Sequence, residues 1–119
     1  MRTHLPIAIT GLGCLCAAGS NLQECMTTLF SGEREPAPPT LFKTGHAVKY
    51  PVFEAPLCEP EDSDLLRTSR LALAAVREAL QDSGLTVEML RSKRVGVCIG
   101  TTVGSTTSDE GYCRALRQC

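Results

Sequence analysis

A glycine-rich turn is the first segment of the sequence that could bind a ligand. Gly11 and Gly13 follow the short apolar run Ile7–Ile9, which is typical of a buried strand. A dinucleotide site needs a third glycine and a helix that starts at once. Cys16 stands at the third position and the next helical pattern begins only near Asn21, so the sequence does not favour nucleotide binding.

A hydroxyl-rich loop is the second candidate. The segment 101–107 (Thr-Thr-Val-Gly-Ser-Thr-Thr) follows a second apolar run, Val95–Ile99. Ligands of α/β proteins bind at the carboxyl ends of strands, where this loop is expected. The loop lacks the Gly-Lys-Ser/Thr of a triphosphate-binding site, so a nucleoside triphosphate is not indicated.

Cysteine is the third chemically capable residue type, with seven in the chain: Cys14, Cys16, Cys25, Cys58, Cys98, Cys113 and Cys119. Zinc sites usually combine two closely spaced pairs, or one such pair with histidines. The sequence has no Cys-x-x-Cys, and Cys14-x-Cys16 has no second pair or nearby histidine. We therefore expect free thiols that pack as small hydrophobic groups, and neither a metal centre nor a cofactor.

Helical patterns separate these segments. Apolar spacing predicts a first helix over about 21–31, with Ser20 and Gln23 as its capping box and Gly32 at its C-terminal end. A second helix is predicted over 63–83, capped from residues 62–64. A short helical turn is expected at 87–90 and a further helix at 109–119.

The alternation of apolar runs and helices predicts an α/β fold, a mainly parallel sheet covered by helices. Two strands alone form a poor sheet, so we expect this chain to be the beginning of a larger structure. Residues 33–62 hold six of the seven prolines and are predicted to be a surface excursion, with one short edge strand over 48–53. His46, in this excursion, is expected to be an exposed loop residue rather than a catalytic base.

Composition narrows the classes of partner. The 119 residues carry 12 basic and 13 acidic side chains, a net charge of -1. This balance gives no basic surface for nucleic acid or anionic lipid. The sequence contains neither an apolar run long enough to span a membrane nor a signal-peptide pattern, so we expect a cytoplasmic protein with no nucleic-acid or membrane partner.

Four segments in register resemble the N-terminal part of the elongating β-ketoacyl-acyl-carrier-protein synthases of the thiolase superfamily. They are 7–19, 29–32 (Leu-Phe-Ser-Gly), 72–85 and 94–101. The resemblance covers nearly the whole chain and implies that residues 1–119 are a partial, incomplete thiolase-like domain.

The resemblance also implies an activity. These enzymes hold an acyl group on a cysteine thiolate and condense it with malonyl-carrier protein after decarboxylation, in fatty acid or polyketide synthesis. None of the seven cysteines matches the family's nucleophile, and neither His4 nor His46 matches a catalytic histidine. We assign no catalytic residue and expect this part to be inactive alone. The implied partners are acyl carrier protein, the acyl thioester, and a second subunit in a homodimer or a heterodimer of synthase and chain-length factor.

Thr102, Val103 and Gly104 correspond to the family loop that borders the acyl-chain pocket near the dimer interface, with Val103 in the position of the residue that contacts the acyl chain. The other interpretation is that this loop only turns the chain. The family usually has glycine where Thr102 and Ser105 stand, and the bulkier Thr102 would shorten or reshape the pocket.

Two other functions stay open at this point. A chain-length-factor-like subunit keeps the fold without the nucleophile, and a short interaction module would have no enzymatic role. In either case we expect the isolated 119 residues to aggregate or to need a partner.

Overall fold

The computed structural model describes residues 6–57, 65–102, 104 and 106–117. Four helices follow one another along the chain: α1 (Leu22–Ser31), α2 (Arg67–Asp82), α3 (Val87–Arg91) and α4 (Thr106–Leu116). Within the described residues the only β-pairing consists of two isolated antiparallel bridges, Cys16 with Gly19 and Ala37 with Val52.

α1 has well-defined caps at both ends. Asn21 is its N-cap, and the side-chain Oδ1 of Asn21 accepts the N–H of Glu24 at 2.9 Å. Glu24 in turn accepts the N–H of Ser20 at 2.9 Å and the Ser20 hydroxyl at 2.6 Å. The predicted box of Ser20 and Gln23 is therefore wrong by one residue, while the predicted cap at Gly32 (φ 69°) is confirmed.

α2 begins later than predicted. Leu65 and Leu66 lie outside the helix, and Leu66 occupies the N-cap position without a side-chain cap. The predicted capping residues 62–64 lie outside the described residues. The face of α2 that is covered carries Ala75, Glu78 and Ala79, and Glu78 uses its carboxylate to accept backbone N–H groups.

The two C-terminal helices are short and exposed. α3 confirms the predicted helical turn, and Thr86 caps it by accepting the N–H of Met89 at 3.3 Å. α4 begins three residues before the predicted start at Asp109. Its large apolar residues Tyr112 and Leu116 are both exposed.

The predicted parallel sheet is not confirmed. Among the described residues, the runs Ile7–Ile9 and Val95–Ile99 form neither a helix nor a paired strand, and we call them the two apolar segments. Ile7 is 98% exposed and Val97 is 81% exposed. The reason is physical: β-strands are held by cross-strand partners, and nothing among the described residues pairs with either segment.

The proline-rich excursion is described over 33–57. Only Ala37 and Val52 pair within it, with N···O distances of 3.1 and 2.8 Å, so the predicted edge strand over 48–53 is reduced to one bridge. The carboxylate of Glu54 folds the excursion by accepting the Thr40 hydroxyl at 2.5 Å and the backbone N–H groups of Thr40 and Leu41. His46 is exposed, as predicted.

The described residues are not packed around a core of their own. The radius of gyration of the chain is 18.7 Å, whereas a compact domain of this length has about 13.5 Å. Among the described residues, only Cys25 and Arg70 are buried, and no two helices share a packed interface. No described helix has the length and apolarity needed to cross a bilayer.

Candidate functional site

The predicted acyl-pocket loop forms a turn that touches the start of α2. Gly104 has a positive φ of 60°, which favours glycine there, and its N–H donates to the Thr101 hydroxyl at 3.0 Å. The Thr68 hydroxyl donates to the Gly104 carbonyl at 3.4 Å. Thr102 is exposed, and Val103 lies outside the described residues. The hydrogen bond from Thr68 thus ties the described part of the loop to α2, and the Thr102 side chain is exposed to solvent.

The glycine turn lies directly against α2. A Cβ on Gly11 would overlap the carbonyl oxygen of Ala79, and a Cβ on Gly13 would overlap that of Ala75. Backbone atoms cannot move aside as a flexible side chain can, so only glycine permits this approach. The two glycines that resemble part of a dinucleotide fingerprint serve to pack a turn against a helix.

Carboxylates of α2 accept the backbone donors of this turn. Asp82 Oδ2 accepts the N–H of Leu12 at 2.9 Å, and Glu78 Oε2 accepts the N–H of Cys14 at 2.8 Å. Glu78 Oε1 also accepts the N–H of Leu22, the first residue of α1, at 2.7 Å. Glu78, a residue of α2, therefore connects α2 to both the turn and α1. The backbone N–H groups of the turn, which in a nucleotide site would bind a phosphate, donate here to the carboxylates of Glu78 and Asp82.

Three cysteines come together where the turn meets α1. The sulfur atoms of Cys14, Cys16 and Cys25 all lie within 4.8 Å of one another, and those of Cys16 and Cys25 are 3.4 Å apart. Cys25 is 1% exposed, whereas Cys14 and Cys16 are half-buried. We call these three side chains the thiol cluster.

Backbone groups surround the thiol cluster. Cys16 and Gly19 exchange two backbone hydrogen bonds, of 3.1 and 3.2 Å, which close a tight turn. The N–H of Ala18 donates to the Cys16 sulfur at 3.4 Å, and the Cys25 thiol donates to the Gly19 carbonyl at 3.4 Å. A Cβ on Gly19 would lie 2.7 Å from the Cys25 nitrogen, so glycine is needed for the turn to rest on α1.

These contacts shift the two thiols in opposite directions. The N–H of Ala18 lowers the pKa of Cys16 by stabilising its thiolate, with a smaller contribution from the Cys25 thiol. Burial raises the pKa of Cys25 to about 12, because the thiolate would lose its hydration. The cluster therefore combines Cys16, a thiol whose pKa is lowered, with Cys25, a thiol whose pKa is raised.

Sequence reasoning missed this cluster for a clear reason. It tested Cys14 and Cys16 for a second pair in the usual spacing, and Cys25 is nine residues after Cys16. The turn at 16–19 and the first turn of α1 bring it back. Gly19 was the feature that could have indicated the cluster. It lies between the cysteine pair and the capped helix α1, and a glycine there permits the chain to reverse direction sharply.

Two apolar clefts lie beside these elements. The first, of about 350 Å³, is lined by Cys16 and the α1 residues Thr28 and Leu29 on one side and by Phe53 of the excursion on the other. The second, of about 430 Å³, lies between the excursion and the start of α2, with Phe42 and Leu71 among its lining residues. Thr102 and Gly104, the two described residues of the predicted acyl-pocket loop, line neither cleft.

The chain matches the family model described as β-ketoacyl synthase, N-terminal domain, over residues 5–118. Curated relatives are synthases of polyketide pathways. The "Tetracenomycin polyketide synthase ketoacyl synthase alpha subunit" of Streptomyces glaucescens is 32% identical over 117 residues, covering 91% of this chain and 27% of that protein. The "Granaticin polyketide putative beta-ketoacyl synthase 1" of Streptomyces violaceoruber is 29% identical over 111 residues, covering 87% and 26%.

The "Actinorhodin polyketide putative beta-ketoacyl synthase 1" of Streptomyces coelicolor is 32% identical over 113 residues, covering 87% of this chain and 24% of that protein. The chain thus spans about a quarter of the length of these curated relatives. No solved structure matches it significantly.

Proposed function

This chain belongs to the β-ketoacyl synthase N-terminal domain family, and on that basis we propose that it forms the N-terminal part of a polyketide β-ketoacyl synthase. Such an enzyme condenses an acyl thioester with malonyl-carrier protein. The observation that carries the proposal is the family match over residues 5–118, supported by relatives whose names place them in polyketide synthesis.

We propose no catalytic residue in this chain. Condensation needs a thiolate nucleophile, and a thiol whose pKa is raised by burial, as that of Cys25 is, makes a poor one. Cys98 and Cys113 are exposed, with no sequence context that resembles the family's nucleophile. We therefore expect residues 1–119 alone to catalyse no condensation.

The two apolar segments are proposed to be strands of a thiolase-like, mainly parallel sheet in the complete enzyme. Their exposed β-branched side chains suit a strand that is covered on both faces. The exposed Leu29 and Phe30 of α1 are proposed to pack against the part of the complete enzyme that lies outside residues 1–119. The proposal explains why this chain forms its helices while many of its large apolar side chains are exposed to solvent.

Thr102, Val103 and Gly104 are proposed to border the acyl pocket. Support comes from the turn at Gly104 and its hydrogen bond to Thr68, which fix the loop beside α2 and leave Thr102 exposed. A Thr102→Gly variant of the complete enzyme should accept longer acyl chains because it removes a branched side chain. A Thr102→Ser variant is the matched control, since it keeps the hydroxyl and removes one methyl group.

The partners follow from the same proposal. They are acyl carrier protein, the acyl thioester and a second synthase-type subunit, either a copy of the same chain or a chain-length factor. The name of the tetracenomycin relative, an alpha subunit, supports a synthase made of more than one chain. The cytoplasmic location stays a prediction.

The first experiment is to sequence the coding region beyond codon 119 and assay the complete polypeptide for condensation with malonyl-carrier protein. The proposal expects a cysteine on a strand-to-helix turn, and loss of condensation when that cysteine is replaced by alanine. A longer chain without that cysteine would replace the proposal by a chain-length-factor-like role. A native polypeptide whose intact mass corresponds to 119 residues would overturn both and indicate an interaction module.

A further inference from the structure

The thiol cluster has the spacing of a metal site. In a tetrahedral zinc site with Zn–S bonds of about 2.3 Å, ligand sulfur atoms stand about 3.8 Å apart. The cluster holds one pair at 3.4 Å and all three atoms within 4.8 Å. We propose that Cys14, Cys16 and Cys25 together bind one thiophilic closed-shell cation, Zn²⁺ or Cu⁺.

The donor set decides the class of metal. Three sulfur atoms are soft ligands, which favour Zn²⁺ and Cu⁺ over Mg²⁺ and Ca²⁺. Within the described part of the chain, this is the one group of three or more cysteine, histidine or carboxylate side chains close enough to hold a metal ion. None of the three cysteines belongs to the predicted acyl-pocket loop.

The groups around the sulfur atoms fix their positions. The N–H of Ala18 donates to the Cys16 sulfur, an arrangement that stabilises the negative charge of a metal-bound thiolate. Glu78 holds the backbone of Cys14 through a 2.8 Å hydrogen bond. Cys25 is held in place by its buried position in the first turn of α1. Outer contacts of this kind orient the ligands of metal sites.

The charge balance of binding is simple. Three thiols release three protons to solvent as three metal–sulfur bonds form, and no electron is transferred. Since Cys14 and Cys16 are half-buried, water can reach the cation and occupy a fourth position on Zn²⁺. Trigonal Cu⁺ needs no fourth ligand. Either cation would fasten the glycine turn to α1.

The test uses the polypeptide that carries this chain, purified under reducing conditions and titrated separately with Zn²⁺ and Cu⁺ against a chromophoric chelator. We expect one equivalent of one of these cations to bind. Each of Cys14→Ser and Cys16→Ser should weaken it at least about 100-fold, because even an outer contact is worth 10–100-fold in metal affinity. Cys113→Ser, at an exposed cysteine outside the cluster, is the matched control and should leave affinity unchanged.

Cys25→Ser places a hydroxyl in a buried position and could unfold the region, so a second measurement avoids it. Cd²⁺ bound to the unsubstituted protein should show sulfur-to-metal charge transfer and a ¹¹³Cd resonance typical of three sulfur ligands. Binding that Cys14→Ser and Cys16→Ser leave unchanged would overturn the proposal. So would absence of stoichiometric binding of either cation.

Discussion

The glycine turn and the two apolar segments have similar composition but reach opposite outcomes. The turn from Gly11 to Cys16 lies against α2, and its N–H groups are accepted by Glu78 and Asp82. The two apolar segments are exposed and have no strand partner among the described residues. The difference lies in where each finds its partners. The turn is satisfied by side chains of α2 within the same chain, whereas a strand needs neighbouring strands that the described residues do not supply.

Val97→Asp, made in the complete polypeptide, gives the largest expected effect on this comparison. If the segment is a covered strand there, a buried carboxylate should lower the free energy of unfolding by about 4 kcal/mol. Chemical denaturation measures the loss, and Val97→Thr, which keeps the β-branched shape, should cost clearly less. Unchanged denaturation of the Asp variant would mean that the segment stays exposed in the complete protein, and the proposed sheet would be wrong.

Gly13→Ala is expected to have the next largest effect, because it acts on the packed side of the comparison. Its Cβ would overlap the Ala75 carbonyl, and the turn would have to move away from α2. We expect a loss of about 3 kcal/mol, at the upper end for overpacking. Gly45→Ala is the control, since a Cβ there meets nothing within 4 Å. Equal stability of the two variants would show that the turn does not pack on α2.

The comparison also explains which parts of the structure the sequence could predict. α1, its cap at Gly32 and α3 follow from local patterns, and the structure confirms them. The role of Glu78 could not be predicted, because a periodicity argument does not show that a turn 64 residues earlier offers its N–H groups to this carboxylate. The thiol cluster was missed because only the usual spacings of metal ligands were tested, whereas the turn at 16–19 brings Cys25 to the cysteine pair. The resemblance assigned Thr102 and Gly104 to a loop beside the acyl pocket, but the other walls of that proposed pocket would come from residues beyond 1–119.

Glu78→Ala tests the connection between the turn and the two helices. The substitution leaves the N–H groups of Cys14 and Leu22 without their charged acceptor in a half-buried position. We expect a loss of about 2 kcal/mol, within the range for a hydrogen bond to a charged group. Glu78→Gln keeps one acceptor oxygen and should lose less, and Glu35→Ala, at an exposed carboxylate, should change little. If Glu78→Gln lowered the free energy of unfolding as much as Glu78→Ala does, this would contradict the arrangement in which both carboxylate oxygens of Glu78 accept a backbone N–H.

Acid should weaken the packed region before it affects the two apolar segments, which carry no carboxylates. The Ser20 hydroxyl and N–H hold the pKa of Glu24 below its ordinary value of 4.5. Because the pKa of Glu24 is lower in the folded state than in the unfolded state, the ionised carboxylate stabilises the fold above the unfolded-state pKa. This stabilisation is lost as the pH falls through the folded-state pKa. The Ser20 amide resonance should therefore titrate with a midpoint below 4.5, and Glu24→Gln should abolish that transition. A midpoint at or above the ordinary value would show that Glu24 does not accept from Ser20 in solution. Because Glu24 is exposed, the effect on global stability should be the smallest of the four.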